Sequence, residues 1–419
     1  KNLINSSDLI IDALFGIGIR LPLRDNVAGI LRTIKQELKQ MQSIKREVVI
    51  PEAPEQPASS PLILAIDCPS GLDCDTGDID ANSLVANETI TFIAAKPGLF
   101  NFPGAGYVGK ISIAPIDVPE TLPELSQINI VVADGEDVRA MLPSRPLESN
   151  KGTFGKAFIL AGCSQYIGAA GLAALGAYRA GAGLVTVGTD SEVVKALAPH
   201  YVEVTWLPLP SEEGFTSDAS YESLSEVLPN YKALLIGPGW GRAETTRHLL
   251  ERMLDTPLPP TVIDADGINL LATIPNWWER LTSPCVLTPH PGEMGRLTGV
   301  NTKEVIQHRW ELAREKAQEW GIVLVLKGAH TLIASPNGDL VVLPFKTDAL
   351  ATAGTGDVLA GIITGLMAQG AKPFEAAIAG AYLHGLSGVL AGCTHTNRSV
   401  IARDIIEHLG EALRKIEGR

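Results

Sequence analysis

The segment Leu350-Ala-Thr-Ala353-Gly354-Thr355-Gly356-Asp357-Val-Leu-Ala-Gly361 sets small residues ahead of a carboxylate, then runs into Ile362, Ile363, Leu366 and Met367 at helical spacing. Small residues let a backbone close on an anion at a helix start, where unpaired N–H groups and the dipole favour negative charge. An acid in a first turn is common for dipole reasons alone. Behind such a gap, Asp357 reads as a base that takes a hydroxyl proton while the N–H groups of Gly354, Thr355 and Gly356 hold a phosphoryl group in transfer. Lys327-Gly328-Ala329-His330-Thr331 ends one strand and turns into another, so Lys327 either meets phosphates or merely closes a hairpin. Thr288-Pro289-His290-Pro291-Gly292-Glu293 holds a His and a Glu on a proline-stiffened loop, at low entropy cost.

Three further clusters are weaker. Gly237-Pro238-Gly239-Trp240-Gly241 permits close backbone approach to a ligand. Asp264, Asp266 and Asn269 either orient a hydrated magnesium ion or cap a helix from about Ile268. Lys151 and Lys156, around Gly152 and Gly155, suggest phosphate contact or a solvated linker, and Tyr166 to Ala170 opens a helix toward the same crevice.

The elements that must position these residues alternate. Residues 8–15 and 62–66 read as strands around a helix over Val27–Lys39, with further strands at 89–94 and 109–113. The proline-rich stretch Pro51–Pro61 reads as an exposed, mobile loop, and Pro115–Pro123 as a boundary. The pattern then restarts, with strands at 158–161, 184–189, 233–237, 261–264, 286–288, 323–327 and 331–334, a small-residue helix at 169–180 and an amphipathic one at 401–416. Such alternation gives a mostly parallel sheet covered on both faces, with ligands beyond the carboxyl ends of its strands.

Composition narrows the class. The 419 residues carry 34 Lys plus Arg against 47 Asp plus Glu, a net charge of −13, with no basic block. That balance argues against a nucleic-acid binder, whose affinity needs clustered cations. The 5 cysteines are scattered and form no C-x-x-C pair, which fits a reducing, cytoplasmic setting without disulfide or zinc. No uninterrupted apolar run approaches the ~20 residues of a membrane helix.

Taken in order, Asn150–Lys156, Gly168–Ala170, Gly237–Gly241, Thr288–Glu293, Lys327–Thr331 and Ala353–Asp357 resemble the NAD(P)H-hydrate dehydratase family, a branch of the ribokinase-like fold. The stretches Asp12–Gly18, Ala65–Asp73, Lys96-Pro-Gly and Tyr107-Val-Gly resemble NAD(P)H-hydrate epimerase, its usual fusion partner. The implied fold is α/β: a ribokinase-like domain over 128–419, its mostly parallel sheet covered by helices, preceded over 1–125 by part of a Rossmann-like epimerase domain lacking its front. The resemblance implies nucleotide contacts at Lys327, Gly328, Ala329, His330, Thr331, Gly354, Thr355 and Gly356, and hydrate contacts at Ala169, Gly239 or Gly241, His290 and Asp357. In the epimerase part it implies hydrate contacts at Gly16, Ile17, Gly18, Ile19, Arg20, Leu21, Pro22 and Asp67, and potassium at Asp12 and Ser70. The implied activity is dehydration of NAD(P)H hydrate driven by ADP or ATP with Mg2+, fused to an epimerase of the same hydrate using K+, in a homo-oligomer. A thiazole or pyrimidine vitamin kinase of the same fold, and a catalytically idle nucleotide-binding module, are the alternatives.

Overall fold

The computed structural model describes residues 2–42, 61–117 and 128–418. The chain divides into two compact units, Lys1–Gln127 and Ile128–Arg419. Most of Pro51–Pro61, and Pro115–Pro123 from residue 118 onward, lie outside the described residues.

In the first unit, strands β1 (Leu9–Asp12), β2 (Leu62–Ile66), β3 (Glu88–Phe92) and β4 (Lys110–Ala114) form a four-stranded sheet in that order, every pair parallel. The Asp25–Gln42 helix carries an apolar stripe, and its Ala28 and Leu31 pack against Ile63 and Ala65 of β2. β1 is shorter than its apolar run suggests. Beyond Asp12 the chain leaves the sheet, and the Phe15 N–H is taken by Ser70 Oγ at 3.1 Å.

The second unit contributes β5 (Ile130–Val132), β6 (Lys156–Leu160), β7 (Leu184–Asp190), β8 (Thr205–Leu209), a small hairpin of β9 (Ser211–Glu212) and β10 (Phe215–Thr216), then β11 (Ala233–Ile236), β12 (Thr261–Ile263), β13 (Cys285–Leu287), β14 (Val323–Leu326), β15 (Leu332–Ala334) and β16 (Leu340–Val342). Apart from the hairpin they form one sheet ordered β5-β16-β15-β14-β13-β12-β11-β6-β7-β8. Only β15 runs antiparallel to its neighbours. The central strands β11 to β14 are buried and, apart from Thr261, apolar, as expected of parallel strands covered on both faces. The Thr355–Ala368 helix lies almost wholly inside the unit and packs on the Ile167–Arg179 helix, where Gly361 and Gly365 sit against the backbone of Ala173 and Ala177. Small residues on both helices allow that approach. The Ala402–Glu417 helix buries Ile405, Ile406 and Leu409 and exposes its charged face.

One feature adds to the sequence reading here and one changes it. The 23-residue Pro373–His395 helix is long and apolar enough to cross a membrane by length and composition, a stretch that a search for uninterrupted apolar runs passes over. Most of that helix is buried within the unit. Residues Asn150–Lys156 do not meet the crevice: they lead into the amino end of β6, and Gly155 packs on the Ala368 carbonyl, at the far end of the helix that starts at Thr355. That helix is roughly 20 Å long.

Candidate active site

Because β11 to β14 are parallel and in register, through Ile236, Ile263, Leu287 and Leu324, the residues following each strand collect on one edge. Asp264 follows β12, Thr288 and His290 follow β13, and Lys327 follows β14. Lys327 Nζ donates to Asp264 Oδ1 at 2.8 Å and lies 3.8 Å from Glu293 Oε2. Thr288 Oγ1 donates to the same Asp264 oxygen at 2.6 Å. Burial alone would lower the Lys327 ammonium, but Asp264, Glu293 and Asp357 outweigh it and hold it above its ordinary range.

The Thr355–Ala368 helix begins directly above this ammonium. A methyl on Gly356 would lie 3.4 Å from Lys327 Nζ. Gly354 takes the N-cap position at φ +91°, a left-handed conformation that suits glycine. Thr355 is buried, its hydroxyl donating to the Leu350 and Thr352 carbonyls and its N–H aimed at Thr352 O at 3.4 Å. Of the turn's N–H groups, those of Gly356 and Asp357 belong to a first helical turn and lack partners within it. The Asp357 carboxyl remains partly exposed. Burial, then the nearby Asp264 charge, pushes it up to about 7. Glu293 is more deeply buried and is also pushed up to about 7, chiefly by burial.

His290 caps the Pro291–Thr298 helix. Its Nδ1 accepts from Gly292 N at 2.9 Å and Glu293 N at 3.4 Å, while Glu293 Oε2 accepts from His290 N at 2.8 Å. An accepting Nδ1 places the ring proton on Nε2, on the half-exposed side. Burial and the Lys327 charge lower the imidazole below its ordinary range, so the ring is a neutral donor.

On one side of the helix start a cavity of about 220 Å³ opens, with Lys327, Gly328, Ala329, Thr331, Thr355 and Gly356 at its polar end and Leu343, Phe345, Leu350 and Leu359 at its apolar end. Such a slot suits a flat, partly apolar group joined to an anion. Elsewhere along the same edge Gly239, at φ +55°, approaches the helix opening at Ile167: a methyl on it would lie 2.7 Å from Ala169 Cβ. Gly241 N donates to Asp266 Oδ2 at 3.0 Å.

In the first unit a cavity of about 550 Å³ is lined by Phe15, Gly16, Ile17, Gly18, Ile19 and Arg20, with Leu23, Arg24, Asn26 and Val27. Asp12, almost fully buried, accepts from Ser70 Oγ at 2.5 Å and Ser70 N at 2.9 Å. Asp67, at φ +69°, faces Gly16 and accepts from Lys96 Nζ at 2.7 Å. Lys96 also donates to Thr91 Oγ1 at 2.6 Å.

Comparison with known proteins agrees with this architecture. The family model described as NAD(P)H-hydrate dehydratase matches residues 157–410, and that described as YjeF-related protein N-terminus matches residues 1–98. A bifunctional NAD(P)H-hydrate repair enzyme of Moorella thermoacetica is 37% identical over 98% of this chain and 74% of its own length. The chain belongs to the NAD(P)H-hydrate repair family. Within that family, an ADP-dependent (S)-NAD(P)H-hydrate dehydratase of Bacillus subtilis is 36% identical over 69% of this chain and 100% of its own. A Bacillus subtilis ADP/ATP-dependent NAD(P)H-hydrate dehydratase co-crystallised with ATP/Mg2+ is 34% identical, with a TM-score of 0.60 over 69% of this chain and 100% of that one. An Enterococcus faecalis ribokinase-like protein, 27% identical with a TM-score of 0.60 over 70% of this chain and 98% of its own, extends the fold likeness.

Against the family's motifs, the structure brings Lys327, His290, Glu293, Gly356 and Asp357 to one edge, and Ala169 beside Gly239. Three readings look different against the structure. The His330 side chain turns into the core, Nδ1 to the Leu343 carbonyl at 3.0 Å, and does not line the cavity. Leu21 and Pro22 fall outside the first unit's cavity wall. Asp264, Asp266 and Asn269 do not cap a helix, since Ala265 holds the N-cap position: Asp264 Oδ1 accepts from Lys327 and Thr288, Asp266 Oδ2 from Gly241 N, and Asn269 Oδ1 from Arg296, while Asp264 Oδ2 lies toward Gly356. Two residues escaped the sequence reading. His384 donates from Nε2 to the Thr355 carbonyl at 2.9 Å, and Arg309 holds the 328–331 turn from behind. Both lie on helices with no local motif.

Proposed function

We propose that the second unit returns (6S)-NAD(P)H hydrate to NAD(P)H at the expense of ADP or ATP, and that the first epimerises the same hydrate. One observation carries the reading: a glycine-started helix opens onto a cavity lined by Gly356 and the Lys327 ammonium, and the next residue of its first turn, just outside the cavity wall, is the partly exposed Asp357 carboxyl poised near neutrality. The hydrate's C6 hydroxyl is a poor leaving group at neutral pH. Asp357 takes its proton as the oxygen attacks the donor's terminal phosphorus, and the N–H groups of the helix start with Lys327 hold the transferring phosphoryl. The ring nitrogen lone pair then expels phosphate, and loss of the adjacent ring proton restores the double bond. His290 offers its Nε2–H to the hydrate, and the cavity past Lys327 takes the donor.

Among the described residues no group of three or more His, Cys, Asp or Glu is gathered to hold a metal. The residues fit a magnesium ion carried mainly by the donor's phosphates and water, with Asp357 the accessible carboxylate. Bound there, it would neutralise phosphate charge. In the first unit, Asp12 is a buried carboxylate that meets only neutral donors among the described residues, which fits a potassium ion held with Ser70. Asp67 and Lys96 sit beside the glycine loop that would take the hydrate. All five cysteines are free, which supports a reducing, cytoplasmic location. Homo-oligomeric assembly rests on the resemblance alone.

The test is to mix the protein with magnesium, ADP or ATP and hydrated NADH. Absorbance of the reduced ring should return as phosphate appears, while a kinase acting on unrelated alcohols would leave the spectrum unchanged.

A further inference from the structure

Arg309 opens the Arg309–Trp320 helix, and its side chain reaches back beneath the 328–331 turn. Nη1 donates to the Ala329 carbonyl at 2.9 Å and Nη2 to the His330 carbonyl at 2.6 Å. A methyl on Gly328 would lie 3.7 Å from Nη2 and 3.9 Å from Nη1, so the guanidinium sits behind the backbone whose Gly328 and Ala329 face the cavity. From the core, the Phe345 carbonyl takes the His330 N–H at 2.7 Å and the Leu343 carbonyl meets His330 Nδ1. These bonds hold His330 at φ +52°, a left-handed conformation unfavourable for a non-glycine residue.

The charge balance is uneven. Lys327 is already paired with Asp264 and Glu293. Among the described residues Arg309 makes no ion pair with a carboxylate, and burial lowers its guanidinium to about 10 with no acid to offset it. Arg309 is partly buried, and a cation withdrawn from water in this way without a counter-ion is incompletely compensated. The face of the turn opposite Arg309 is the cavity wall, where an anion would complete it. We propose that Arg309 is a positioning residue of the phosphoryl-donor site: it locks the Gly328–His330 turn in its ligand-ready shape, and the donor's phosphates balance its charge. This rests on the nucleotide reading of the cavity.

Two variants separate shape from charge. Arg309→Gln keeps an amide donor and drops the charge, whereas Arg309→Lys keeps the charge and loses the two-pronged grip. The readouts are KM for ADP, KM for hydrated NADH, and the ADP-induced rise in Tm. Arg309→Gln should raise the ADP KM by about tenfold or more, the scale of one charge-assisted hydrogen bond, and shrink the Tm rise, with the hydrate KM within about twofold. Arg309→Lys should recover part of the loss. An unchanged ADP KM in folded Arg309→Gln, or both KM values rising together, overturns the proposal. Should Arg309→Gln fail to fold, Arg309→Lys decides: a raised ADP KM with an unchanged hydrate KM supports the proposal, and an unmoved ADP KM defeats it. Lys327→Met is the control. If it too leaves the ADP KM unmoved, the nucleotide reading of the cavity fails; if it raises the ADP KM while Arg309→Gln does not, only the role of Arg309 fails.

Discussion

Asp357 joins proton chemistry to stability. Its carboxyl is pushed up to about 7 by burial and by Asp264, so the base is half ionised near neutrality. Asp357→Asn keeps the shape and removes the proton acceptor, and turnover should fall by ~10²-fold or more. The wild-type rate should rise with pH through an apparent value near 7 that belongs jointly to Asp357 and Glu293, since both titrate there. The stability effect has the opposite sense. A carboxyl raised above its unfolded value contributes stability that is full below about pH 4 and is lost as pH rises through about 7. The Tm of Asp357→Asn relative to wild type should therefore grow between pH 4 and 7 and level off above, a trend that thermal scans across pH would check. His290→Ala should raise the hydrate KM more than the nucleotide KM, and the reverse would move His290 to the donor side. The types of these residues were legible in the sequence because small residues before an acid, and a His between prolines, are local patterns. Their partnership was not: Lys327 and Asp264 are 63 positions apart, and only the parallel register brings them together.

At the level of elements, Gly239 shows what the glycine loop is for. Its left-handed backbone and close approach to Ala169 leave no room for a side chain. Gly239→Val should cost on the order of 1–3 kcal/mol from backbone strain alone, lowering the Tm and raising the hydrate KM together. A normal Tm with an unchanged KM would show that the loop has slack. The central strands were readable as largely apolar runs, whereas β5, β8 and β16 were not read; β5 and β8 are the sheet's two edges and only partly buried, so their sequences carry a weaker pattern. The Lys and Gly residues of Asn150–Lys156 look like a phosphate loop, yet their glycines serve tight turns and helix packing at the opposite end of the sheet. Composition alone cannot say at which end of a strand a loop sits.

For the whole molecule, the Bacillus subtilis relative aligns over its full length with only 69% of this chain. Residues 128–419 alone should thus fold and retain nucleotide-dependent dehydration. Given a mixture of the two hydrate epimers, that fragment should stall once the S form is consumed, and a chain with a working first unit should run on to completion. Phosphate released per hydrate supplied distinguishes the two. If the fragment is folded but inactive, the second unit does not hold the whole dehydration site.

The placement of β5 imposes an order on folding. Among the described residues Ile130–Val132 pairs with Leu340–Val342 and with no other strand, so the unit's first strand waits about 200 residues for its neighbour, a separation that slows closure. During synthesis this edge stays open until β16 has left the ribosome. Ribosome-stalled chains ending before residue 340 should therefore show backbone amides at 130–132 exchanging freely with solvent, and chains stalled well beyond it should show them protected.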